Sequence, residues 1–136
     1  MRQPRCSQRL EWPSPAAHAT EPMSDSGFAR LPEPPYHVAI FSSRRSAGDE
    51  ADYAATAQRM FELAAQQPGF LGAESARDAA GFGITVSYWR DEAAILAWRD
   101  QPDHAATRAH GRAHWYDHYE VRIARVERAY RSTPAA

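Results

Sequence analysis

The stretch "YWRDEAAILAWRDQPDHAATRAHGRAHWYDHYE", residues 88 to 120, holds three of the chain's four tryptophans and four of its six histidines. Imidazole is the side chain best matched to proton transfer near neutral pH, and it is a common metal ligand. Indole offers a broad apolar wall with a single N–H donor. Such residues can form a metal site, a cofactor cradle or the apolar side of a helical segment. His110, His114 and His118 are spaced i, i+4, i+8 and would share one face of an unbroken helix. No carboxylate sits among them at i or i+4 to act as a fourth ligand. A strand is expected to begin near Tyr116, which takes His118 off that face. No metal site is expected.

His104 is different. It follows "QPD", where a broken helix would open towards a pocket. With a pKa near neutrality it could act as a general base. The plainer alternative is a residue of the helix start, paired with Asp103 or water. Trp89, Trp98 and Trp115 are candidates for the walls of a small-molecule pocket, since such pockets are mostly apolar and aromatic. The alternative is ordinary core. Arg108 and Arg112, at i and i+4, could hold a phenolate or carboxylate, or lie on a solvated face. The pair Arg44 and Arg45 reads as a surface loop. There is no Gly-rich phosphate loop and no supported Ser-His-Asp arrangement.

The rest of the composition narrows the chemistry. The chain has 136 residues, one domain's length, with a formal net charge of -1. That balance recruits neither nucleic acid nor an anionic membrane. All 16 basic residues are arginine, and the chain has neither lysine nor asparagine. Schiff-base catalysis through lysine is excluded. Cys6 is the only cysteine, so neither an internal disulfide nor a Cys-based zinc site can form. No apolar run is long enough to span a membrane, and the N-terminus lacks the apolar core of a secretory signal. A cytoplasmic location is expected.

These residues need elements to position them. "YHVAIFSS" reads as a strand. Asp49 stands where it could cap a helix in which Tyr53, Ala57, Met60, Phe61 and Ala64 recur at helical spacing. Pro68 ends that helix. "FLGAESARD" and "FGITVSYW" form an antiparallel hairpin, with "GFG" in the turn. Asp91 caps a second helix, with Ile95 and Trp98 on one face, and Pro102 breaks it. A helical piece follows from about 103 to 115, then a strand in which Tyr119, Val121 and Ile123 alternate with Glu120 and Arg122.

This order predicts an α+β ferredoxin-like βαββαβ fold with an antiparallel sheet. Helices cover one sheet face. The other would carry Trp89 or Tyr88, depending on register, and a homodimer would cover it. Residues 1–35 hold seven of the ten prolines and show no periodicity, so they are expected to be a disordered leader, with Met23 as a possible true start. The folded domain is expected over 36–130 and a frayed tail over 131–136.

"QQPGFLGAESARD", "GITVSYWRDEAAILAWRDQPDH" and the closing "VERAY" resemble the antibiotic biosynthesis monooxygenase superfamily over about residues 36–130. The resemblance implies a dimeric α+β barrel. It also implies a pocket between sheet and helices that takes a small aromatic molecule. The activity it points to is cofactor-independent oxidation of a phenol or quinol by dioxygen. The resemblance assigns no catalytic group, and the chemistry of the residues themselves offers His104 as base and Trp89, Trp98, Trp115, Arg108 and Arg112 around the substrate. The alternative is a non-catalytic binding protein of the same fold. A haem-degrading branch of the family uses an Asn, a Trp and a His. Trp98 matches its tryptophan, Arg108 stands where its histidine would be, and the Asn has no counterpart. No cofactor is expected.

Overall fold

The computed structural model describes residues 8–9 and 26–132. In chain order the elements are β1 (Gln8–Arg9), β2 (Tyr36–Arg45), α1 (Glu50–Ala65), β3 (Phe70–Arg77), β4 (Phe82–Trp89), α2 (Glu92–Asp100), α3 (Pro102–His114) and β5 (Tyr116–Val126). The sheet order is β1-β3-β4-β2-β5, and every neighbouring pair is antiparallel. Without the two-residue β1 this is the four-stranded ferredoxin-like sheet. The second helix of that fold is divided into α2 and α3.

The division has a local cause. Gln101 ends α2 and starts α3, with extended ψ (128°) and its side-chain Oε1 accepting the His104 N–H at 2.8 Å. Pro102 follows at the first helical position, where its missing N–H costs nothing. Asp91 caps α2 by accepting the Ala94 N–H at 2.8 Å. Asp49 does stand at the α1 N-cap, but with φ 52° its side chain makes no capping bond. Glu50 and Asp52 in the first turn still complement the helix dipole.

Strand alternation sorts the sheet into two faces. Towards the helices point Ala39, Phe70, Ala73 and Trp89, packed with Phe61, Ala64, Ala94 and Ile95. On the opposite face Tyr36, Val38 and Leu71 pack with Ile40, Val86, Tyr88 and Val126. The register therefore puts Tyr88 on the outer face and Trp89 in the core, with no exposed surface at all.

Two findings differ from expectation. Strand β2 runs on through Arg44 and Arg45, and Arg45 is buried rather than part of a surface loop. Its guanidinium donates through Nη1 to the Trp115 carbonyl (2.9 Å) and through Nη2 to the Gly48 carbonyl (3.1 Å), which anchor it inside. In addition, packing begins upstream of residue 36. The Ala29 N–H donates to Glu74 Oε2 at 3.0 Å, and Leu31 packs on the outer-face cluster. Of the expected leader 1–35, residues 8–9 and 26–35 fall within the described residues, and the rest of it lies outside them.

Candidate functional site

Between the helix-facing side of the sheet and the three helices lies a cavity of about 500 Å³. That is within the range of small-molecule pockets. Its walls come from every layer: Phe41 and Ala73 from the sheet, Phe61 from α1, Ile95 from α2, and Val121 and Ile123 from β5. Polar groups gather at both ends of α3. His104 sits in its first turn and Trp115 just past its last, roughly 16 Å apart at 1.5 Å per residue.

At the first end, aromatic rings form a ladder. Phe70 meets Trp89 edge-on at 5.0 Å, Trp89 stacks on Trp98 at 6.2 Å, and Trp98 stacks on His104 at 3.9 Å. The Trp89 indole N–H donates to Ser87 Oγ at 2.9 Å, so this buried donor is satisfied. His104 Nδ1 lies 2.7 Å from the Trp98 carbonyl oxygen. A carbonyl only accepts, so Nδ1 carries the proton and Nε2 keeps its lone pair. Burial pushes the imidazole down to about 4. The bond to the Trp98 carbonyl opposes the shift and the Arg108 guanidinium adds to it. A base with a pKa near neutrality is thus not what the fold provides. The ring is neutral at pH 7 because burial penalises its charged form.

At the second end, the Tyr53 ring is flanked by two guanidinium groups. Arg45 lies over it at 4.0 Å and Arg77 at 5.7 Å. Arg77 Nη2 donates to the Tyr53 hydroxyl at 3.2 Å and to Ser43 Oγ at 2.8 Å. The Tyr116 hydroxyl donates to Tyr53 at 3.3 Å. Burial holds the Tyr116 hydroxyl well above the usual tyrosine range, and neighbouring Tyr53 adds to this, so Tyr116 stays protonated. Trp115 stands edge-on to Tyr53 at 5.5 Å, buried, and its indole N–H has no acceptor among the described residues.

Most of the expected site residues meet here. His104, Trp89, Trp98, Arg108 and Trp115 all line the cavity. Arg108 is exposed at its mouth, with Nη1 donating to the Arg99 carbonyl at 3.4 Å. Arg112 is the exception: it is exposed and takes no part in the wall. The inward edge of α3 is carried by His104, Thr107, Arg108 and Gly111, and Arg112 falls past that edge. Among the described residues no group of three or more His, Cys, Asp or Glu could hold a metal ion. His118 sits on β5, bonded to Glu120 at 3.0 Å, away from the His110–His114 pair. No described helix is long and apolar enough to cross a membrane.

Tyr53, Tyr116 and their arginines were not expected at the site. Tyr53 was legible only as an apolar position on α1. Nothing in the local sequence marks Arg77 as its partner, because the two meet through tertiary structure.

The family model for antibiotic biosynthesis monooxygenase matches residues 36–110, which include β2 through most of α3. The chain belongs to the antibiotic biosynthesis monooxygenase family. It is 53% identical over 101 residues to the uncharacterized protein YqjZ of Bacillus subtilis, covering 74% of this chain and 88% of that protein. Among solved structures it is similar to a protein from Shewanella oneidensis, with a TM-score of 0.62, 12% identity, and coverage of 74% of this chain and 98% of the other. It is also similar to SnoaB, a cofactor-independent oxygenase from Streptomyces nogalater, with a TM-score of 0.57, 17% identity, and coverage of 75% and 100%. At these identities the structural likeness concerns the fold.

Proposed function

We propose that the chain is a cofactor-independent monooxygenase that oxidises a small phenol or quinol with dioxygen. The observation that carries this reading is the cavity itself, aromatic-walled, about 500 Å³, with a neutral imidazole at one end. The likeness to SnoaB supports it at the level of fold. Dioxygen reacts slowly with closed-shell molecules unless one of them gives up an electron readily, and a phenolate does so without flavin or metal. With a phenol, one oxygen atom becomes a new ring carbonyl and the other leaves as water. The substrate supplies all the electrons. Trp98 would hold the ring, and His104 Nε2 would accept a proton or hydrogen bond from the substrate. Arg108 at the mouth would favour the anion. The form we propose is a cytoplasmic homodimer, joined across the outer sheet face.

The test is oxygen uptake by metal-free, flavin-free protein against a panel of phenols and quinols. Consumption above the buffer rate is expected, and His104→Ala should lower turnover about 10²-fold, the scale of general-base loss. No uptake, or a His104→Ala variant equal to the parent, sinks the reading. One observation favours a second one. An imidazole held down to about 4 is a weak acceptor for the proton of a phenol, whose ordinary pKa is about 10. A protein that only binds an aromatic molecule needs no such transfer. Binding without oxygen uptake would establish it.

A further inference from the structure

The end of the cavity remote from His104 has hydrogen-bond donors with nothing to donate to. Tyr53 and Tyr116 bring two hydroxyl protons, and the bond between them uses one. The Tyr53 oxygen already receives Tyr116 and Arg77 Nη2, and among the described residues no acceptor stands opposite its own proton. The Trp115 N–H, beside it, has none either. Both residues are buried, at 6% and 4% exposure, and both line the cavity. A buried donor left unpaired is destabilising, because it has given up its water without replacement. Two such donors on one wall call for an acceptor brought by the ligand.

Charge points the same way. Arg45 and Arg77 place two guanidinium groups around Tyr53. Among the described residues the carboxylate bonded to either is Glu50, on Arg45 at 3.3 Å, and its side chain is half exposed. Water screens that carboxylate, so a positive potential remains behind the Tyr53 ring. Arg77 does not reach the cavity wall. It acts through the Tyr53 hydroxyl, polarising the O–H towards whatever oxygen accepts it.

We infer that Tyr53, with Trp115 as a second donor and Arg77 as its positioning residue, binds a ligand oxygen as an anion, the phenolate of an aromatic molecule. This rests on the reading that the cavity takes a phenol-type aromatic. It adds an anion site at the end opposite His104: binding as the phenolate releases that oxygen's proton to solvent, the site's own field selects the anion, and His104 Nε2 is left for a further proton or hydrogen bond of the same molecule. Fixed donors and charges in a water-poor pocket are suited to that task.

The probe is alizarin, a flat hydroxylated aromatic whose colour reports loss of its phenolic proton, titrated with the full chain under nitrogen. The parent should bind the anion about tenfold better than the neutral form, moving the colour midpoint down by about one pH unit. Tyr53→Phe keeps the ring between the arginines and should abolish that preference while retaining the neutral form. Trp115→Phe and Tyr116→Phe should each reduce it. Arg77→Lys should keep more of it than Arg77→Gln, an order that a purely structural role would not produce. Melting curves check that each variant is folded. Failure of alizarin to bind, or equal midpoints in parent and Tyr53→Phe, overturns the inference. Oxygen uptake plays no part in the titration. A Tyr53-dependent midpoint in a protein that consumes no oxygen would sink the oxygenase reading alone. Undiminished uptake in Tyr53→Phe with no midpoint shift would do the reverse.

Discussion

His104 lies flat on Trp98, with ring centroids 3.9 Å apart, planes 9° from parallel, and Nδ1 2.7 Å from the carbonyl oxygen of Trp98 itself. One residue thus supplies both the shelf and the acceptor that fix the ring. An imidazolium could keep both contacts, yet burial opposes the charge and brings the pKa down to about 4. The unfolded chain binds the proton first, near pH 6.5. The stability contributed by the neutral ring is therefore fully present above about pH 6.5. It is lost as the pH falls from there to about 4, and no more is lost below. Urea midpoints should decline across that window, by on the order of 1–3 kcal/mol after allowance for partial exposure. His104→Gln should flatten this part of the profile. An NMR titration that put the ring near 6.5 would contradict the account.

The elements were legible because they follow local rules. Asp91, Gln101 and Pro102 mark helix ends by side-chain chemistry within three residues of the bonds they make. The alternation of Tyr119, Val121 and Ile123 fixed which face of β5 meets the cavity. What could not be read was the polar end. Arg45 donates to the Trp115 carbonyl, 70 positions away, and Arg77 to the Ser43 carbonyl, 34 positions away. An arginine in isolation reads as surface, because the acceptors that make burial tolerable are distant in sequence. For Arg112 the sequence left two readings open, and the structure takes the solvated one. Its i, i+4 spacing from Arg108 was visible, but which edge of α3 faces inward depends on tertiary packing.

Gly69→Ala should destabilise the fold and disturb the cavity together. Gly69 has φ +85°, and an added Cβ would stand 2.7 Å from the Ala94 Cβ. Ala94 is buried on α2, the helix that carries Trp98. The left-handed backbone costs about 1–2 kcal/mol for an L-residue, and overpacking adds about 1–3. Gly48→Ala is the control, because φ is +96° there but nothing lies within 4 Å. Urea denaturation should find Gly69→Ala the more damaging by at least the overpacking share. Equal losses would mean that α2 yields freely.

The homodimer proposed above depends on the outer sheet face, which the chain covers unevenly. Leu31 packs on Tyr36, Val38 and Leu71. Glu74 fastens that segment, accepting the Ala29 N–H at 3.0 Å and the Tyr88 hydroxyl at 2.6 Å. Burial holds the Tyr88 hydroxyl well above its usual range, with the bond to Glu74 adding to it, so this tie persists at any physiological pH. Further along β4 the cover stops, and Phe82 and Ile84 remain 39% and 41% exposed. Apolar area contributes about 25 cal/mol per Å² when removed from water, so a second sheet laid against this end would be held there. Sedimentation velocity at about 10 μM should then show a dimer, and Ile84→Lys should convert it to a folded monomer, since an unpaired ammonium resists burial. A parent chain that sediments as a monomer would mean that the Leu31 segment suffices as cover, and the sheet-to-sheet dimer would be abandoned.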